Sequence, residues 1–199
     1  MSKGRPPKTP DVAPAPRQRR RGADKIKSEA PTRTIRTLIR EAPSRQEFDQ
    51  IDKEALQIHS RSAAILLAAH IEFSLEYAIL IRLKRNDEKT VKLLVDRDGP
   101  LSGFYAKIHL AYALGVFESD ALYDLNIIRR VRNAFAHALR PIDFTDEEIK
   151  KECLLLRCVE DMEIPDVKPT PEYSSEPIRR RFTLACRILA DDIVLASVS

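Results

Sequence analysis

From residue 45 onward, apolar side chains recur at intervals of three and four. Phe48, Ile51, Ala55, Leu56, Ile65, Ala69, Phe73 and Leu80 follow one such series. It predicts helix from a capping box at Ser44-Arg45-Gln46-Glu47 toward Lys84, with a break near His59. After Ile65 apolar residues occupy nearly every face, the pattern of a helix at the centre of a bundle. Val91–Val95 reads as a short helix, and Asp96-Arg97-Asp98-Gly99-Pro100 as a turn. Ser102 is placed to cap a helix carrying Phe104, Ile108, Ala111 and Leu114, closed by Gly115 in a left-handed conformation. Ser119 is placed to cap the next, which runs to about Leu139 and stops before Pro141. Thr145-Asp146-Glu147-Glu148 reads as a second capping box, opening a helix to about Val159. Ile164 to Pro177 holds four prolines and reads as a surface loop. A last helix, from about Ile178 to Ala196, is expected to bury Phe182, Leu184, Ile188, Leu189 and Ile193. No alternating strand pattern is long enough to matter, so the expected fold is all-α.

The first 32 residues break this pattern. They hold six of the chain's 13 prolines and almost no periodic apolar positions. Such a segment buries too little surface to offset chain entropy and is expected to be disordered. Residues 33–41 suit a short helix, and 33–199 are expected to form one helical domain. Composition agrees: 43% of the 199 residues are apolar and only five are glycine, which favours helix over sheet. The net charge of +4 conceals an asymmetry. Residues 1–40 carry 12 Lys/Arg against 3 Asp/Glu, the remainder 22 against 27. A basic leader on a mildly acidic body points to polyanionic partners.

Several classes are disfavoured. Cys153, Cys158 and Cys186 lack CxxC spacing and His59, His70, His109 and His137 are scattered, so the sequence offers no zinc pattern. Three buried, reduced thiols are expected, with no metal and no cofactor. The basic N-terminus is not followed by the apolar run of a signal peptide. Ala63 to Leu83 is long enough to span a membrane, but His70, Glu72, Ser74 and Glu76 interrupt it, favouring a buried core helix. A cytoplasmic protein without membrane contact is expected.

Two motifs carry candidate chemistry. Arg132-Asn133-Ala134-Phe135-Ala136-His137 places a permanent cation and an imidazole that titrates near neutrality on one long helix, where they could grip a phosphate and move a proton. Five residues separate Arg132 from His137 by about 140° around the helix. They reach one ligand only if the helix ends near His137 or another element or subunit completes the site. A two-fold pair of such helices would gather two Arg and two His, sufficient for metal-free RNA cleavage. The structural alternative pairs Arg132 with a buried acid (Glu72, Glu76 or Asp124) and leaves His137 to complement the helix dipole. The second motif, Lys3-Gly4-Arg5-Pro6, resembles the Arg-Gly-Arg-Pro core of AT-hooks, with lysine first. Its thin, extended cationic chain suits the narrow minor groove of A·T tracts. Arg17, Arg19, Arg20 and Arg21 would add phosphate contacts.

A series of blocks resembles the mannitol operon repressor family. These are Asp98-Gly99-Pro100-Leu101, Leu110-Ala111-Tyr112-Ala113-Leu114-Gly115-Val116, Arg132 with His137, Phe144-Thr145-Asp146-Glu147-Glu148-Ile149, and Cys158-Val159. The likeness extends more weakly from Ile35 to Val194. It implies an all-helical fold similar to the HEPN superfamily, whose marker, an Arg often followed by Asn and then a His four to six residues on, Arg132-Asn133…His137 matches. It also implies a transcriptional regulator. The basic leader departs from the simplest repressor pattern and is expected to supply the DNA or RNA contact, in a homodimer that works by binding and takes a protein partner. The alternative that the likeness implies is a metal-independent HEPN-type endoribonuclease, in which Arg132, Asn133 and His137 are catalytic at a dimer interface. A third possibility is a scaffold that binds proteins alone.

Overall fold

In the computed structural model the described residues are 44–96, 98–162 and 177–198. They lie within one compact unit, Pro43–Ser199, and residues 1–42 fall outside them. The expectations for the leader, for residues 33–41 and for most of the proline-rich segment therefore lie outside the described residues. Helices account for the architecture, and no strand occurs among the described residues. They are α1 (Arg45–Gln57), α2 (Ser60–Arg82), α3 (Glu88–Val95), α4 (Phe104–Ala113), α5 (Ser119–His137), α6 (Glu147–Leu154) and α7 (Pro177–Val198), with a 3-10 turn at Arg157–Val159.

The first capping box forms as the sequence predicts: Glu47 N–H donates to Ser44 Oγ and Ser44 N–H to the Glu47 carboxylate. The predicted break falls at Ile58 and His59, where the backbone is extended. α2 is the central helix and packs against α1, α4, α5 and α7. It is long and apolar enough to cross a membrane. Here Ala63, Ala64, Leu67, Ala68, Ile71, Leu75, Ala78 and Ile79 instead fill the bundle core.

Arginines fix the directions of the helices. Arg82, at the C-terminal end of α2, donates to Ala196 O near the C-terminal end of α7. Arg179, at the start of α7, donates to Ala55 O and Ile58 O just before α2. The two helices therefore run parallel. Arg61, at the start of α2, donates to Ala138 O and Arg140 O beyond the end of α5, so α5 runs antiparallel to both. Gly115 (φ 67°) supplies the left-handed turn between α4 and α5. At Gly99 a Cβ would collide with the Leu94 carbonyl, which accepts Leu101 N–H at 2.8 Å.

Several predicted boundaries shift for identifiable reasons. α3 begins three residues before Val91 because the Asp87 carboxylate caps it, accepting from Thr90 N and Thr90 Oγ1. Gly103 and Glu118, not Ser102 and Ser119, occupy the cap positions of α4 and α5, and neither helix has a side-chain cap. Thr145 does not cap α6; its hydroxyl and N–H both turn to Asp143, and Asp146 accepts Asp143 N–H. α6 stops at Leu154, short of Val159, because the next turn serves a buried acid. Asp124 (1% exposed) accepts the N–H groups of Arg157 and Cys158 at 3.0 and 2.8 Å. Burial and this carboxylate push the Cys158 thiol up to about 12, making it an inert thiol. Cys153 and Cys186 are buried while Cys158 is only partly so, and none of the three is in a disulfide. In α7, Phe182, Leu189 and Ile193 are buried; Leu184 and Ile188 are only partly so.

Two outcomes follow. Arg179→Met strands the carbonyls of Ala55 and Ile58 and is expected to lower unfolding free energy by about 2–4 kcal/mol in a denaturant titration. The exposed Arg85→Met should change it by less than about 0.5 kcal/mol. Burial lowers the His70 pKa to about 4, opposed by the nearby Asp191 charge. Between pH about 6.5 and 4 the unfolded chain binds a proton that folded His70 refuses, so this residue's contribution to stability falls as pH falls through that window. Thermal melts at pH 7 and pH 5 should therefore show a smaller acid-induced drop for His70→Gln than for the wild type.

Candidate functional site

α5 has two chemically distinct faces. Asp124, Leu125, Ile127, Ile128, Val131 and Phe135 are buried against the bundle. Phe135 is the anchor: its ring lies 5.0 Å from Phe144, which lies 5.4 Å from Phe182 of α7. Fixing Phe135 inward turns the flanking Arg132, Asn133 and His137 away from the core. Arg132 and Asn133 are partly buried and His137 is exposed.

The helix ends at His137. Ala138 is already extended (ψ 124°), and Arg61 holds the carbonyls of Ala138 and Arg140 at 2.9 and 3.2 Å. This is two residues short of the predicted Leu139, and it meets one of the two conditions under which Arg132 and His137 can reach a common ligand. The imidazole therefore stands at the open end of α5, on a backbone secured by a guanidinium from α2.

Arg132 does not pair with a buried acid. Its Nη1 donates to Asn133 Oδ1 at 3.1 Å. The three acids nominated from sequence are engaged elsewhere. Glu72 and Glu76 flank buried Lys107 of α4 at 3.0 and 2.9 Å. Asp124 serves the amides after α6. One turn earlier on the same face, Arg129 Nε donates to Asn126 Oδ1 at 3.4 Å, and Asn126 Nδ2 donates to Leu122 O. Arg129 also lies over the ring of Tyr105 on α4, 5.2 Å from its centroid. Asn126, Arg129, Asn133 and His137 share a face by their spacing of three and four. Both guanidiniums are oriented by neutral amides.

Four other arginines of the bundle pair with acids: Arg130 with Glu152, Arg157 with Asp120, Arg187 with Asp49 and Arg140 with Asp146. Below the end of α5, Asp143 is held under the usual carboxylate range chiefly by hydrogen bonds from Thr145, with a smaller effect from the His59 charge. No group of three His, Cys, Asp or Glu suited to a metal occurs among the described residues. Lys3, Gly4, Arg5, Pro6, Arg17, Arg19, Arg20 and Arg21 lie outside the described residues. Arg61, Asn126, Arg129 and Tyr105 were not singled out from sequence. Arg129 was findable, three residues before Arg132 on the same face. Arg61, 77 residues from Ala138, left no local signal.

Known proteins agree with this architecture. A family model described as Mannitol repressor (MtlR) matches residues 55–185, a span that includes Arg132, Asn133 and His137. The mannitol operon repressors of Escherichia coli K12 and of E. coli O6:H1 are each 31% identical over 85 residues, 41% of this chain. The match spans only 44% of the length of those relatives. The X-ray structure of the MtlR-HPr complex from E. coli contains a chain that is 25% identical and superposes with a TM-score of 0.57, covering 75% of this chain and 99% of that one. With the family model spanning most of its described helices, this chain belongs to the mannitol repressor family.

Proposed function

We propose that the chain is a mannitol-repressor-like transcriptional regulator that works by binding. Its helical body engages a partner protein, and its basic leader contacts DNA. The observation that carries this reading is the likeness, over three quarters of the chain, to a protein solved in complex with HPr. The charge distribution supports the division of labour. Lys3, Arg5, Arg17, Arg19, Arg20 and Arg21 concentrate positive charge in the leader, whereas residues 41–199 carry an acidic excess. Phosphate contacts from such a leader release counterions, so binding should weaken steeply with salt.

Removing residues 1–32 is expected to weaken binding to an A·T-rich duplex tenfold or more, and to reduce the salt slope by about 0.9 per lost phosphate contact. His137→Ala should leave DNA affinity unchanged. Calorimetric titration of the shortened chain with purified HPr should still show saturable binding. Loss of HPr binding with DNA binding intact would separate the two halves of the reading. If neither ligand binds, a protein scaffold of other specificity remains.

A second reading is favoured by the open geometry at the end of α5: a metal-independent HEPN-type endoribonuclease. In a homodimer with α5 near the two-fold axis, one His137 would accept the proton of a ribose 2′-hydroxyl. The 2′-oxygen would attack phosphorus, and the other His137, protonated, would give its proton to the departing 5′-oxygen. Arg132 would stabilise the charge gathering on the phosphate, and Asn133 would orient Arg132. The products are a 2′,3′-cyclic phosphate and a 5′-hydroxyl. Cleavage of single-stranded RNA in EDTA, reduced at least about a hundredfold by His137→Ala, is the expected result. Absence of cleavage by the wild type sinks this reading and leaves the first intact.

A further inference from the structure

Aromatic and cationic groups converge on the joint face of α4 and α5, next to the Arg132–His137 segment. Tyr105 is 57% exposed. Its ring centroid lies 4.2 Å from that of His109, at an interplanar angle of 51°, and Arg129 stands over it. The Arg129 guanidinium is oriented by Asn126, whose own amide nitrogen is tied to Leu122 O. His109 Nε2 is buried without a hydrogen-bond partner among the described residues. Two turns along α4 from Tyr105, Tyr112 is a second exposed ring, 6.3 Å from Phe117.

Neither helix adds an acidic side chain to this face. Residues 104–113 contain no Asp or Glu, and between Ala121 and His137 the sole carboxylate is Asp124, turned into the core. At its border Arg130 is already paired with Glu152. The face thus offers a π surface, a guanidinium stacked against it, and Arg132 one turn further with only an amide partner. Planar rings joined by anionic links match that arrangement. Aromatic side chains and arginine planes take up unpaired bases, and the neighbouring cations take up phosphates.

We infer that the joint face of α4 and α5, centred on Tyr105 and Arg129, is a stacking site for an unpaired nucleobase of single-stranded RNA. The strand runs along α5, about 12 Å from Arg129 to His137, placing its phosphates at Arg132 and its sugars beside the Asn133 amide. RNA rather than DNA is favoured because that amide can recognise a 2′-hydroxyl and because RNA readily presents unstacked bases. The site goes beyond the regulator reading and does not require that the RNA be cut.

The test is fluorescence anisotropy of the full chain with a labelled single-stranded RNA of about 12 nucleotides, in EDTA at about 0.15 M salt. Tyr105→Ala is expected to weaken binding tenfold or more, and Tyr105→Phe to stay within about twofold, because the phenyl face alone suffices. Circular dichroism melts should be unchanged, since the ring is mostly exposed. The leader is present in every variant and cannot account for a difference between them. Single-stranded DNA of the same sequence and duplex RNA should compete at least about tenfold more weakly. Wild-type affinity in Tyr105→Ala, or no RNA binding at all, overturns the inference. Equal competition by DNA overturns the assignment to RNA. A denaturing gel of the bound probe distinguishes this site from the ribonuclease reading. Intact probe bound in a Tyr105-dependent manner supports the stacking site alone; cleaved probe with no Tyr105 dependence supports the nuclease and rejects the stack.

Discussion

The bundle depends on one recurrent interaction: an arginine of one helix satisfying the free carbonyls at the C-terminal end of another. Helices leave their last carbonyls unbonded, and many proteins meet that need with a glycine in a left-handed turn. This chain has five glycines, and one of them, Gly115, serves in that way. Elsewhere guanidiniums substitute. Arg179 takes the carbonyls closing α1, Arg61 those beyond α5 and Arg82 one near the end of α7. Arg181 takes Cys153 O, Leu156 O and Val159 O after α6. A planar cation with several donors can bond two or three carbonyls at once and is attracted by the negative end of the helix dipole. The same contacts that hold the helices together also fix which ends lie side by side.

That arrangement determines the character of the candidate site. Because Arg61 secures the chain just past His137, α5 ends with its imidazole facing outward and its backbone fixed. The acids of the core are meanwhile committed to tasks of their own. Glu72 and Glu76 pair with Lys107 inside the bundle, and Asp124 ties the 3-10 turn to α5. A buried charge without a partner is expensive, so these pairings are mutually enforcing. Arg129 is left with an amide and the Tyr105 ring, and Arg132 with an amide. The positive face is thus a by-product of how the negative groups are used.

Much of the fold was legible from sequence because its signals are local. The Ser44–Glu47 box, the break before Ser60 and the Gly115 turn each involve residues within a few positions of one another, and all three occur. The misplacements have different causes. Ser119 looked like a cap, yet Glu118 occupies that position without a side-chain bond. The helix expected to reach Val159 stops at Leu154 because Asp124, more than thirty residues away, claims the amides of Arg157 and Cys158. Local preference gave way to the need to satisfy a buried carboxylate.

The sequence by itself determined the helical class, the order of the described helices and the presence of Arg132, Asn133 and His137 on one element, all of which rest on periodicity and on interactions within one or two turns. It did not give the inward face of α2, where Ile65 and Ala69 of the apolar series are exposed and Leu67, Ile71 and Leu75 are buried. Tertiary structure alone decided which acid meets which base. It set α2 and α7 parallel, gave Glu72 and Glu76 to Lys107 rather than to Arg132, and brought Tyr105 to Arg129. Those choices follow from desolvation and from the geometry of helix ends, and they operate between residues that the linear chain keeps far apart.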